Sequence, residues 1–280
     1  MGGDRPGLLC VHAHPDDEAM TTGGVLAKAA GAGLRTAVVT CTGGELGQVR
    51  LPGRAEAPAA GVAALRRDEL ATALDLLGAG PPRWLGYGDS GWDGPAPPGS
   101  FWAAPFDQAV GRLVAELRAF RPAVVVTYDA FGLYGHRDHV QAHRVTLAAV
   151  EAARTPRLFA EAGPAWAVER LYLATVPLSL VELGIAELAA RGLPALLGRP
   201  GAPALGWPDQ DVRAVVDVRP WLERKWAALQ AHRSQLGPGS VFGYLPEELR
   251  ATALGTEWFL RPGHPCPGAA REDDLMAGLA

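Results

Sequence analysis

Apolar residues in this chain fall into short unbroken runs that alternate with longer stretches of helical period. Leu8–Ala13, Thr36–Cys41, Trp84–Tyr87 and Ala123–Tyr128 read as buried strands, the last rich in β-branched valine. Between and after them, Glu18–Ala30, Gly61–Leu77, Pro105–Phe120 and His139–Ala153 read as helices. Gly61–Leu77 sets Leu65, Leu70, Ala73, Leu74 and Leu77 at helical spacing and ends at Gly78 and Gly80. Asp138 is the expected N-cap of the helix that begins at His139. The alternation predicts βαβ units, hence an α/β fold: a Rossmann-like, mostly parallel sheet flanked by helices. Right-handed crossovers put every strand exit on one edge, where open α/β sheets bind ligands. The loops 14–17, 43–48, 89–92 and 134–139 should therefore meet there.

The second half is less regular. Arg170–Val176 and Ala214–Val218 read as strands, and Pro220–Leu236 as a helix with Trp221, Leu222, Lys225, Trp226 and Leu229 packing inward. Residues 177–210 contain five prolines and suggest an irregular lid. Residues 1–155 are expected to form the catalytic core. Residues 156–280 would complete the sheet and cap the pocket, the two parts forming one integrated domain by their length.

Composition narrows the function. With 280 residues, 48% of them hydrophobic, the chain can bury a large core without staples. A net charge of −4 gives no basic footprint for nucleic acid. Three cysteines, at 10, 41 and 266, are an odd number with no disulfide or metal spacing. No apolar run reaches membrane-spanning length and no leader pattern stands behind the N-terminus, so the cytoplasm is the default. The partner expected is a small molecule, with neither nucleic acid nor membrane, and a homo-oligomer is left open.

Candidate chemistry concentrates in Val11–Glu18, Val-His-Ala-His-Pro-Asp-Asp-Glu, where Pro15 stops the first strand. His14, Asp16 and Asp17 can hold a divalent metal and still leave a base: one carboxylate can ligate while the other faces a water. Zinc accepts imidazole nitrogen and carboxylate oxygen and keeps a position open in catalytic sites; Fe²⁺ suits the same donors. The plainer alternative is a solvated acidic turn. A third ligand is needed, and His136, His139 and His143 flank the exit of the fourth strand. One helical turn, about 5.4 Å, carries His143 away from the edge, so His139 is preferred, with His136 on the loop facing the site. His143 is expected in an outer or surface position, and His232 and His264 in structural ones. Gly43-Gly44-x-x-Gly47 departs from the dinucleotide fingerprint, which disfavours a nucleotide-dependent oxidoreductase. No Ser-His-Asp order stands out, so a covalent nucleophile is the weaker case. Arg66, Arg67, Asp68 and Glu69 are read chiefly as a solvated helix face.

His14-Pro15-Asp16-Asp17-Glu18 after one strand, with His136-x-Asp138-His139 after a later one, resembles the LmbE-like (PIG-L) zinc N-deacetylases. Arg66-x-x-Glu69-Leu70, Asp89-Ser90-Gly91, Val126-Thr127-Tyr128-Asp129 and the final Glu272–Leu279 are similar to the mycothiol-biosynthesis branch, in the same order. The resemblance implies His14, Asp17 and His139 as zinc ligands and Asp16 as general base. It implies His136 as the group that stabilises the oxyanion and leaving amine, Tyr134 as the group that polarises the carbonyl, and Asp138 as the acid that orients His136. Arg66 and Asp89 would bind sugar or inositol hydroxyls, so a change at Arg66 is expected to alter substrate binding and leave stability nearly untouched. The implied activity is removal of acetyl from an N-acetylglucosamine conjugate of the inositol type. Rivals are a glucosaminyl-malate substrate of the bacillithiol type, a thiol-conjugate amidase, or sugar binding without catalysis. The chain departs from the family pattern at Arg137, where Pro is usual, and at Leu133, where a second Gly usually precedes the tyrosine.

Overall fold

Residues 6–51, 58–190, 192, 205–237, 245–264 and 270–279 are described by the computed structural model. Strands β1 (Gly7–His12), β2 (Arg35–Thr42), β3 (Arg83–Tyr87), β4 (Val124–Tyr128) and β5 (Arg170–Thr175) pair in the order β3-β2-β1-β4-β5, all parallel. The sheet continues through β6 (Ala214–Asp217) and β7 (Thr256–Leu260): β7 pairs antiparallel to β5, and β6 pairs antiparallel to β7 at the edge. The chain steps outward from β1 through β2 to β3 and then returns to β4 on the other flank of β1. That reversal opens a crevice beyond the carboxyl ends of β1 and β4.

The helices are α1 (Asp17–Thr21), α2 (Gly23–Gly31), α3 (Ala59–Leu77), α4 (Phe106–Phe120), α5 (Gly132–Gly135, a single turn), α6 (Arg137–Ala153), α7 (Leu178–Ala190), α8 (Leu222–Ala231) and α9 (Glu247–Leu254). Successive strand residues point to opposite faces. Leu8, Cys10, Val124 and Val126 accordingly pack with Leu26, Leu70, Leu74 and Leu229, on the side of α2, α3 and α8. Leu9, Val11 and Val125 pack with Leu113, Leu117 and Val145, on the side of α4 and α6. No helix among the described residues is long and apolar enough to cross a membrane.

Several expectations change. The helix expected over 18–30 is two helices broken at Thr22. Glu257 on β7 accepts the N–H groups of Gly24 and Val25, so the second helix starts where its free donors meet a buried carboxylate. His136, not Asp138, caps α6: its ring Nδ1 accepts the Asp138 N–H at 3.2 Å. Within the expected lid, Leu178–Ala190 is helical, because its prolines flank that stretch and do not interrupt it. Residues 191 and 193–204 of that expected lid lie outside the described residues. The helix expected over 220–236 ends at Ala231, and β7 and α9 are additions.

Candidate active site

The sharp turn after β1 sends His14, Asp16 and Asp17 in different directions. Asp16 takes φ +106°, a left-handed conformation unusual for a residue with a Cβ. His14 and Asp17 then fold toward each other. The His14 N–H donates to Asp17 Oδ2 at 2.8 Å, and the Tyr128 hydroxyl at the end of β4 donates to the same oxygen at 2.7 Å. Tyr128 in turn accepts the Ala13 N–H at 2.7 Å, which ties the ends of β1 and β4 together. Its ring stacks on His139 with centroids 4.2 Å apart.

Three side chains converge as a result. His14 Nδ1 lies 3.3 Å from His139 Nε2 and 3.5 Å from Asp17 Oδ2, and His139 Nε2 lies 3.4 Å from Asp17 Oδ1. Ligands at the usual zinc distances of about 2.0–2.2 Å stand about 3.4 Å apart in a tetrahedron, close to each of these separations, with Asp17 facing the two histidines through different oxygens. His14 is also within ligating reach of His136 and of the Asp89–Asp138 pair. Against the cost of burial, Asp138, Asp17 and Asp89 raise the His14 imidazole well above its ordinary pKa, so the cavity attracts positive charge. Burial would raise Asp17, but His139 and His14 more than reverse it and hold it well below the usual carboxylate range. Burial drives His139 down to about 3, leaving a neutral ring with a lone pair to offer. The donor set and its spacing fit a divalent metal.

Around these three side chains stand the other residues singled out in the sequence. Asp16 keeps 29% of its side chain exposed and pairs with the Arg66 guanidinium at 3.1 Å. Burial pushes its carboxyl up to about 6, with Arg66 pulling the other way. Arg66 also donates to Gly44 O at 2.6 Å and to Pro15 O. It is only 3% exposed, and Glu69 is buried too, so the expected solvated face of α3 holds for Arg67 and Asp68 but not for these two. Gly44 permits this arrangement: it has φ +63°, and a Cβ there would collide with the guanidinium.

Asp138 donates through its backbone to His136, as described, but its carboxylate faces elsewhere. Oδ2 lies 3.3 Å from His14 Nε2 and accepts the Ser90 N–H at 2.9 Å. Burial, then the charge of His14, lowers His136 to about 4. With its Nδ1 accepting from Asp138, the His136 proton sits on Nε2. The Tyr134 hydroxyl is 3.3 Å from His139 Nε2, and burial followed by the Asp17 charge holds it protonated. Asp89 accepts the Leu46 and Gly91 N–H groups. His143 is buried rather than at the surface, its Nδ1 2.9 Å from Tyr128 O.

Sequence reasoning gave no individual role to Tyr128, Ser90, Glu45 or Trp92. Glu45 accepts the Asp89 N–H at 2.9 Å and has a second, buried oxygen without a hydrogen-bond partner. Trp92, 37% exposed, stacks on Tyr134 at 5.6 Å. Each lies at a strand exit, and only the fold reveals which exit residues turn inward.

Residues 9–150 match the family model of the PIG-L, GlcNAc-PI de-N-acetylase, proteins. A 1D-myo-inositol 2-acetamido-2-deoxy-alpha-D-glucopyranoside deacetylase of Geodermatophilus obscurus is 42% identical, covering 97% of both chains. The chain belongs to the PIG-L family. Another member, the Rhodococcus opacus protein of the same description, is 45% identical over 97% of this chain and 98% of its own. Among solved PIG-L-like structures, N,N'-diacetylchitobiose deacetylase from Pyrococcus horikoshii superposes with a TM-score of 0.66, covering 92% of this chain and 84% of its own, at 20% identity. That likeness concerns the fold, and the seven-stranded sheet with a His/Asp cluster at its edge is a PIG-L architecture.

Proposed function

We propose that this chain is a metal-dependent amidohydrolase that removes the N-acetyl group from a glucosaminyl-inositol conjugate, a step in the synthesis of a low-molecular-weight thiol, in the cytoplasm. His14, Asp17 and His139 hold the metal, with Zn²⁺ preferred and Fe²⁺ suited to the same donors. The observation that carries the proposal is the approach of His14, His139 and the Asp17 carboxylate to within 3.3–3.5 Å of one another, with Asp16 beside them. The near-complete coverage by the inositol-type relatives supports the substrate. Both described cysteines are free and buried, as suits a reducing compartment.

A divalent metal held by these three side chains supplies Lewis acidity, bringing the pKa of water to about 7 and polarising the amide carbonyl. The chain's own groups do the rest. Asp16 accepts the proton of the attacking water and returns it toward the leaving amine, so the C–N bond breaks to a neutral amine and acetate. Arg66 orients the carboxylate of Asp16 from behind. Tyr134, held as a phenol, donates to the carbonyl oxygen as it gains charge. The Nε2–H of His136 donates to the same developing oxyanion or to the departing nitrogen. Asp138 steadies His136 through its N–H and His14 through its carboxylate. Arg66 and Asp89, both buried beside the ligand residues, are the groups that would meet sugar and inositol hydroxyls.

The test is release of primary amine from a panel of N-acetylglucosaminides carrying inositol, malate or a thiol conjugate, by zinc-loaded protein. The inositol conjugate should give the highest kcat/KM. A preference for malate would overturn the substrate assignment. Binding of zinc and sugar with no amine from any member would make the chain a sugar-binding protein.

A further inference from the structure

We propose that Glu18 and His232 form a buried positioning pair that fixes the backbone of Asp16, the residue that serves as base in the reading above. Asp16 has φ +106°, a conformation a side-chain-bearing residue leaves unless something holds it. The restraint is the Asp16 N–H, which donates to Glu18 Oε2 at 3.0 Å. The other oxygen of that carboxylate, Oε1, receives His232 Nε2 at 2.7 Å. Both side chains are fully buried, so neither has water to replace the other. Each carboxylate oxygen therefore has one directed donor, and the pair of donors sets the plane of the group.

His232 is itself anchored. It stands at the C-terminal end of α8, and two residues on Ser234 donates its N–H and hydroxyl to the two oxygens of Glu69 on α3, each at 2.7 Å. Glu69 lies one helical turn from Arg66, which grips the Asp16 carboxylate. The two ends of Asp16 are thus held from one frame: α3 through Arg66 for the side chain, α8 through His232 and Glu18 for the backbone. Glu18 hydrogen-bonds to Asp16 and to none of His14, Asp17 or His139, so the pair should govern the base and spare the metal. Nε2 donates whether the ring is neutral or charged, so no titration is needed.

Without His232, Glu18 Oε1 loses its donor, the carboxylate turns, and the Asp16 N–H loses the acceptor that maintains its positive φ. The experiment compares His232→Ala and His232→Gln in the full, zinc-loaded chain. A glutamine amide can present an N–H near the position of Nε2. Measured are kcat and KM for amine release from the inositol conjugate, zinc affinity against a competing chelator, and the Asp16 φ in crystals of each variant. His232→Ala should lower kcat by about 10²-fold, the usual cost of a small misplacement, with KM and zinc affinity little changed and Asp16 moved out of positive φ. His232→Gln should restore most of kcat and the Asp16 conformation. A wild-type kcat with Asp16 unmoved in His232→Ala would overturn the proposal. So would an equal loss of zinc affinity, a glutamine variant as damaged as the alanine one, or failure of both variants to fold. If the wild type releases no amine, the functional reading fails, and the Asp16 φ in His232→Ala still decides the pairing.

Discussion

Asp16 and Asp17 are adjacent and chemically identical, and the turn between β1 and α1 gives them different work. Asp17 has one oxygen saturated by His14 N–H and the Tyr128 hydroxyl, and the other 3.4 Å from His139 Nε2. Asp16 faces Arg66 and the cleft. Asp16→Asn should therefore keep zinc and lose about 10²–10⁴-fold in kcat, the share of a general base, with KM little changed. Asp17→Ala should lose zinc and turnover together, and metal analysis beside steady-state kinetics separates the two. The buried contacts of Arg66 argue against a thermally neutral change. Its removal takes the guanidinium donor from Pro15 O and leaves Gly44 O with the Gly47 N–H alone, which should cost about 1–3 kcal/mol. Thermal melts of Arg66→Ala should fall by several degrees, at about 2–4 °C per kcal/mol for a chain near this size. An unchanged Tm would leave Arg66 as a hydroxyl binder alone.

At the scale of elements, the segment from Asp129 to Arg137 carries most of the site's tension. Asp129 Oδ1 accepts the N–H groups of Phe131 and Leu133, and Oδ2 accepts the Thr175 hydroxyl. Gly132 has φ +67°, and a Cβ there would lie 2.6 Å from His139 Cβ and 2.9 Å from Val140 N. Gly132→Ala should therefore shift the ligand helix, weakening zinc binding far more than it lowers kcat at saturating zinc. Equal zinc affinity in a chelator competition would show that the loop absorbs the clash. Arg137, where relatives are expected to carry Pro, donates to Gly94 O and Trp92 O and so holds the loop that stacks Trp92 on Tyr134. Here the limits of sequence are physical. The strands β1 to β4 and helices α3, α4 and α6 were legible because each shows a clear apolar run or helical period. The meeting of His14, Asp17 and His139 was legible because they sit at strand exits that βαβ topology must gather. The cap at His136 was not, since it depends on which ring nitrogen meets the Asp138 N–H. α7 was hidden by flanking prolines. β7, Thr-Glu-Trp-Phe-Leu, is short and has no parallel partner to announce it.

For the molecule as a whole, the last described segment is sewn onto the sheet by Glu272. Its backbone bridges to β6 through Val215 N–H and Arg213 O. Its side chain accepts from Arg261 at 2.7 Å, Arg213 at 3.2 Å and the Tyr172 hydroxyl at 2.5 Å. Although burial opposes it, the Tyr172 hydroxyl and the two guanidiniums hold the Glu272 carboxyl below its ordinary value near 4.5. A depressed carboxyl stabilises the fold above its unfolded pKa and loses that contribution as pH falls through the folded one. Plots of Tm against pH should therefore drop more steeply below about pH 4.5 for the wild type than for Glu272→Gln, which should already be less stable at neutral pH. Parallel curves would assign the tail's attachment to its backbone bonds.

One consequence of the long-range pairing concerns the making of the chain. Gly24 is capped by Glu257, 233 residues later, and Glu18 meets His232, 214 residues later. A ribosome working at about 5–20 residues per second takes on the order of 10–50 s to span the first of these gaps. For most of that interval the turn bearing Asp16 exists without His232 and Glu257, so His14, Asp17 and His139 are all synthesised before the partners of that turn.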